Sequence, residues 1–180
     1  MQLKLDRPLV FFDLETTGTN PLQDRIVEIS LIKVMPDGTE LEKSRRINPG
    51  IPIPESSTAV HHITDEDVAN EPTFKQIAQS LFELLEGCDI AGYNSNKFDV
   101  PLLMEEFSRV GLNFTTKGRR FVDVQNIFYA MEPRTLTGAY RFYCGKELEG
   151  AHGATADTRA TLEVLKGQLA RYPELENDVE

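Results

Sequence analysis

Residues 10–18 read VFFDLETTG, and no other stretch of the chain constrains its fold as tightly. The continuous apolar run from Leu9 to Leu14 suits a strand buried on both faces of a sheet. That strand nevertheless ends by presenting Asp13 and Glu15. Side chains alternate along a strand, so two acids one residue apart project to the same side. Ionised neighbours in that position repel unless a cation lies between them. The oxygen-only donor set favours Mg²⁺ or Mn²⁺ over zinc.

Bulk properties narrow the class. A length of 180 residues predicts one compact domain, residues 1–180, with enough material for a real core. The content of 40% hydrophobic and 27% charged residues matches an ordinary soluble protein. No apolar stretch is long enough to span a bilayer, so no membrane partner is expected. The start, MQLKLDRP, lacks the apolar segment of a secretory signal, which predicts a cytoplasmic protein. Cys88 and Cys144 are too few for a disulfide scaffold or a zinc site and read as core residues. A net charge of −10 argues against meeting nucleic acid through a basic surface. A divalent ion in a carboxylate cluster would supply the missing positive charge.

Along the chain, the apolar run is followed by a strand over Ile26 to Val34 and a turn at Pro36-Asp37-Gly38. A more polar strand through Ile47 then completes a meander. Pro49, Gly50, Pro52 and Pro54 predict a loop, and His61 and His62 read as loop residues that touch a substrate. Thr64 and Asp67 predict a capped short helix. Phe74, Ile77, Ala78, Leu81, Phe82 and Leu85 recur at helical spacing, with Gly87 placed to end that helix. A short strand is expected at Asp89 to Gly92 and a helix from near Phe98, with Pro101 in its first turn and Gly111 closing it. Phe121 to Val124 is expected as the last strand, before helices around Leu136 to Phe142 and Thr155 to Leu169. Together these give an α/β domain, a mixed sheet covered by helices.

Asp99 follows "AGYNSNKF", and Asp157 lies in "HGATADTRA" five residues after His152. Taken alone, each acid reads as a helix cap that complements the dipole before it reads as a ligand. Likewise His152, between Gly150 and Gly153, is either a plain surface residue or a general base free to move, with a pKa of about 6.5 to suit that work.

"FDLETTG", "NSNKFD" and "HGATAD" resemble, in order, the three motifs of the DEDDh, or DnaQ-like, exonuclease family. The proline-rich "INPGIPIP" followed by "VHHITDEDV" also resembles that family's connecting region. The resemblance runs from Val10 past Asp157 and implies a ribonuclease H-like fold with a mixed five-stranded sheet. It implies metal ligands at Asp13, Glu15, Asp99 and Asp157, a general base at His152, and Thr16 and Thr17 beside the terminal nucleotide. Substrate contacts are further expected at His62, Asn94 and Phe98. Tyr93 stands where many members carry histidine, and His62 where glycine is frequent, departures that bear on substrate preference.

The implied chemistry is two-metal hydrolysis at a nucleic-acid 3′ end, with two Mg²⁺ or Mn²⁺ ions roughly 3.5–4 Å apart bridged by Asp13. His152 would take a proton from the attacking water, and the product would be a nucleoside 5′-monophosphate. DNA is the expected substrate, single-stranded or frayed, in proofreading or repair, with a DNA polymerase as a possible partner. RNA trimming by the same chemistry and a non-catalytic binding member are the alternatives. Lys97, Arg119, Arg120, Arg141 and Arg159 are candidates to guide the strand, with Tyr93 and Phe98 to stack on bases. A haloacid dehalogenase-type phosphatase also carries acids two apart after its first strand, but its second acid is normally Asp, which Glu15 fits poorly. The ending "RYPELENDVE" adds no extended tail, which leans toward autonomous action or a piece of a longer chain.

Overall fold

A computed structural model describes residues 3–176; the outer ends of MQLKLDRP and RYPELENDVE lie outside the described residues. The chain forms two compact units, Met1–Gln125 and Asn126–Glu180.

The first unit is built on a five-stranded sheet. Its strands are β1 (Leu9–Thr16), β2 (Ile26–Val34), β3 (Glu40–Arg46), β4 (Asp89–Gly92) and β5 (Phe121–Asp123), in the spatial order β3-β2-β1-β4-β5. The β1–β2 and β2–β3 pairs are antiparallel, as the meander predicts, while β1–β4 and β4–β5 are parallel. The sheet is therefore mixed. The turn between β2 and β3 is closed by Gly38 N–H donating to the Met35 carbonyl at 2.9 Å, and Asp37 accepts from Thr39.

Alternation along β1 separates two jobs. Val10, Phe12, Leu14 and Thr16 are buried, while Asp13 faces solvent and Glu15 is half-buried. The buried side packs against α3 (Phe74–Leu85) and α4 (Asp99–Arg109) through Phe74, Leu81, Leu85, Leu102, Leu103 and Phe107. Phe107 meets Phe74 edge-on at 5.2 Å and stacks on Phe114 at 5.3 Å between ring centres. A smaller cluster of Val27, Ile53, Ile63 and Val68 lies beneath α1 (Glu55–His61) and α2 (Asp65–Val68). Thr64 caps α2 in a reciprocal box with Asp67, as its spacing predicts.

Some expectations need correction. The segment after Pro54 is not all loop: α1 occupies Glu55–His61, so His61 is helical. Gly87 ends α3 as expected, in the left-handed region at φ 68 just past the Glu86 cap. The last strand stops at Asp123, and Val124 begins an unforeseen helix, α5 (Val124–Met131). Cys88 is fully buried, whereas Cys144 is only partly so.

The second unit is helical, with most of α5 followed by α6 (Leu136–Cys144) and α7 (Ala154–Arg171). The α6–α7 contact is close because Gly167 gives room to Tyr143, where a Cβ would come within 2.9 Å of Tyr143 Cβ. Tyr143 and Tyr172 hydroxyls meet at 3.2 Å, and the Arg171 guanidinium lies 4.6 Å from the Phe142 ring centre. Among the described residues, no helix is long and apolar enough to cross a membrane.

Candidate active site

Asp13 and Glu15 project from one side of β1 just before a register shift between Glu15 and Thr16. Glu28 on β2 sits opposite Glu15, so three carboxylates share this part of the sheet. Burial holds the Glu15 carboxyl above the ordinary glutamate range; the Asp13 charge pushes the same way, and His61 pulls it back.

Asp99 joins them from the first residue of α4, where it is 5% exposed. Its carboxyl is pushed up to about 6, first by burial and next by the Asp13 charge, against hydrogen bonds from its own backbone and from that of Leu14. A cap that merely complements a helix dipole would be stabilised in its charged form. Asp99 behaves in the opposite way, as an acid held out of water and, next, near the Asp13 charge. Asp13, Glu15 and Asp99 are thus brought near one another by the fold, against their mutual repulsion.

Residues around them are held by internal bonds. Thr17 is buried and its hydroxyl donates to Asp24 Oδ1 at 2.8 Å; the Thr16 hydroxyl donates to the Gly18 carbonyl at 2.7 Å. Both side chains therefore shape the turn after β1. Asn94 adopts φ 58, and Phe98 packs at the margin of the main core while Tyr93 is exposed. His62 caps α1 in the left-handed region at φ 62, which explains why a glycine suits that position.

His61 carries more than the sequence indicated. Ile63 N–H donates to its Nδ1 at 3.1 Å, which leaves Nε2 to carry the proton and donate to the Thr16 carbonyl at 3.2 Å. The ring thereby ties the end of α1 to the strand residue beside Glu15. Only the HH pair flagged it, since nothing in "ESSTAVHH" announces a helix.

In the second unit, His152 and Asp157 adjoin each other. The His152 backbone N–H donates to Asp157 Oδ1 at 3.3 Å, with His152 at φ 72 and its side chain exposed. Asp157 lies in the first turn of α7, as its position in "HGATAD" predicts.

The RNase T exonuclease family model matches residues 10–165. The chain belongs to this family. It is 29% identical over 166 residues to the DNA polymerase III subunit epsilon of Treponema pallidum (strain Nichols), covering 89% of this chain and 76% of that protein. It is 32% identical over 162 residues to the DNA polymerase III subunit epsilon-like protein of Rhodobacter capsulatus, covering 87% of this chain but 23% of that one. Exonuclease I of E. coli, solved in complex with a dT13 oligonucleotide, matches with a TM-score of 0.62 at 20% identity, over 92% of this chain and 42% of that chain. At that identity the likeness is one of fold, the ribonuclease H-like arrangement expected from the motifs.

Within this DnaQ-like exonuclease domain, two of the candidate guiding cations are structural. Arg119 donates to the carbonyls of Leu85 and Cys88 at 2.6 and 2.7 Å, and it lies over Phe114. Arg120 pairs with Asp6 and with buried Asp89. Lys97, Arg141 and Arg159 are exposed, and Arg159 lines an open cavity of about 620 Å³ with Tyr140, Lys146 and Glu149. Among the described residues, no three histidine, cysteine or carboxylate side chains stand close enough together to hold an ion as they are. Repulsion between ionised carboxylates opposes a closed cluster until a cation offsets it.

Proposed function

We propose that the chain is a divalent-metal-dependent 3′–5′ exonuclease that hydrolyses phosphodiester bonds at DNA 3′ ends and releases nucleoside 5′-monophosphates. The observation that carries this reading is the placement of Asp13 and Glu15 on one side of β1 and of buried Asp99, close enough to feel the Asp13 charge, at the start of α4, in a chain whose residues 10–165 match the RNase T exonuclease model. A purely structural role would leave such crowding uncompensated, and a cation relieves it. The all-oxygen donor set of Asp13, Glu15, Asp99 and Asp157 fits Mg²⁺ or Mn²⁺. Two bound ions would supply a hydroxide at neutral pH and stabilise the departing oxygen.

The chain's own residues carry the remaining work. His152 accepts a proton from the attacking water on its imidazole, and its exposed ring is open to solvent. Asp99, once ionised, would serve as a metal ligand. Asp13, exposed on β1, would hold the metal ion that in turn meets the incoming phosphate, which a bare carboxylate would repel. Asn94 and Phe98, on the loop before α4, and the segment around Thr16 and His62 contact the terminal nucleotide. A DNA substrate is supported by the naming of the relatives as DNA polymerase III subunits and by the oligonucleotide held by exonuclease I. The same relatives support a DNA polymerase as partner and a single-stranded or frayed 3′ end as the form bound.

The test is incubation with Mg²⁺ or Mn²⁺ and 5′-labelled single- and double-stranded DNA and RNA, with Asp13→Ala as control. A ladder shortened one nucleotide at a time on DNA, absent with Asp13→Ala, is the expected result. Exclusive shortening of RNA would overturn the substrate assignment. Internal cuts, or activity retained by the variant, would overturn the mechanism.

A further inference from the structure

Asp123 ends β5 at the strand-end edge of the sheet, in parallel register with Gly92 at the end of β4. A carboxylate there, 5% exposed, has the place and the chemistry of one more metal ligand. Its oxygens are engaged otherwise. Oδ1 accepts from Asn94 N–H at 2.9 Å and from Gln125 N–H at 3.1 Å, and Oδ2 accepts from Asn96 N–H at 3.2 Å. A carboxylate offers about four lone-pair positions, and three backbone amides fill most of them.

Those amides belong to one structure. The loop from Tyr93 to Phe98 folds back tightly over the end of β4. A Cβ at Gly92 would come within 2.6 Å of the Ser95 side chain and 3.1 Å of the Phe12 carbonyl. Asn94 takes φ 58, in the left-handed region that asparagine tolerates better than most non-glycine residues, which suits it to the tight turn. Val100 N–H donates to the Ser95 carbonyl at 2.9 Å, which fastens the far side of the loop to the first turn of α4. The residue delivered at the end of this loop is Asp99. Asp123 thus grips the loop on either side of Ser95, and the same carboxylate caps the first turn of α5 through Gln125.

We infer that Asp123 is a positioning residue for the exonuclease site: it holds the Tyr93–Phe98 loop in the conformation that sets Asp99 beside Asp13 and presents Asn94 and Phe98 to the 3′-terminal nucleotide. Two backbone amides converging on one buried carboxylate fix a loop more firmly than loop side chains do, because charge-assisted bonds to an ionised acceptor are the stronger kind. For its catalytic consequence the inference rests on the function proposed above; the anchoring of the loop stands apart from it.

Asp123→Asn tests both parts. It keeps side-chain volume but puts an NH₂ where an amide donor needs an acceptor. On labelled single-stranded DNA, kcat is expected to fall roughly 10²-fold, the scale of a misplacement of about 1 Å at a reacting centre. KM is expected to rise as well, because the same loop carries Asn94 and Phe98, and thermal unfolding should show the variant folded at the assay temperature. Combined with Asp99→Asn, the second change should add almost nothing, because both act on one ligand. An unchanged kcat, or two effects that multiply, would overturn the inference. Amide hydrogen exchange supplies the readout that does not depend on activity or on the variant folding. The Asn94 and Asn96 amides should be protected in the unaltered chain, and open-loop exchange rates at both would overturn the anchor. If the unaltered chain does not cut nucleic acid, the proposed function fails, while the exchange result still decides whether Asp123 holds the loop.

Discussion

In Met1–Gln125 the buried apolar side chains form two clusters, one running from Val10 and Leu14 to Phe107 and Phe114; in Asn126–Glu180 the only described residues fully buried are Gly138, Ala160 and Val164. The second unit instead leaves Ile127, Phe128, Met131, Phe142, Leu162 and Leu165 substantially exposed, with Met131 at 68%. The residues assigned to catalysis are divided along the same line. Asp13, Glu15 and Asp99 stand on a sheet and helix locked by core packing, whereas His152 and Asp157 stand on a helical unit with a thin core. Precise placement of ligands asks for a rigid base, and the sheet unit provides one. Local stability scales with buried apolar contact, so the two units should differ in how firmly they hold their residues.

Removing one acid from each unit is the strongest way to break that comparison. Asp13→Ala and Asp157→Ala should each lower kcat by about 10³-fold or more, the equivalent of losing the several kcal/mol that a metal ion supplies, with unfolding midpoints nearly unchanged. If only the Asp13 variant loses turnover, the second unit has no part in the chemistry. His152→Ala should lower the rate near neutral pH by roughly 10²-fold or more, yet leave metal binding intact in calorimetry. An unchanged rate would remove the imidazole from the mechanism.

Stability measurements sharpen the contrast. Leu102→Ala in α4 should cost about 2–5 kcal/mol in denaturant unfolding, as large-to-small changes in a packed core do. Leu162→Ala on α7, at 42% exposure, should stay within about 0.5 kcal/mol. Similar costs at both positions would erase the distinction between the units.

The remaining expected effect concerns pH. Asp99 has its folded carboxyl raised to about 6 from a usual 3.8. A raised acid pKa stabilises the folded state fully below the unfolded value, and that contribution is lost as pH climbs through the folded one. Relative to Asp99→Asn, the metal-free protein should therefore lose on the order of 1–3 kcal/mol between pH 4 and pH 7. The same pH dependence in both proteins would contradict the raised Asp99 carboxyl.

Much of this was legible before any coordinates. β2 and β4 begin and end where their apolar patterns do, and alternation alone put Asp13 and Glu15 on one side of β1. The parts that stayed hidden have separate physical causes. α1 contains no buried residue and no apolar period, and it follows Pro54 without a side-chain cap; α5 does carry apolar residues at helical spacing, Val124, Ile127, Phe128 and Met131, but they are exposed and run straight on from β5. α5 starts on the residue after β5, with no turn signal between them. The boundary between the units falls inside α5, at Gln125 and Asn126, where no proline, glycine or polar linker marks it. The parts played by His61 and Asp123 were not legible, because each works through backbone partners distant in sequence, Thr16 for one and Asn94 and Asn96 for the other.

The crowding of Asp13, Glu15 and Asp99 is tested most directly by calorimetric titration with Mn²⁺ near pH 6, repeated in buffers of different ionisation enthalpy. Binding should release a proton, since Asp99 must ionise to become a ligand, and Asp13→Ala should weaken binding sharply. Binding without proton release, or binding that Asp13→Ala leaves unchanged, would contradict the account.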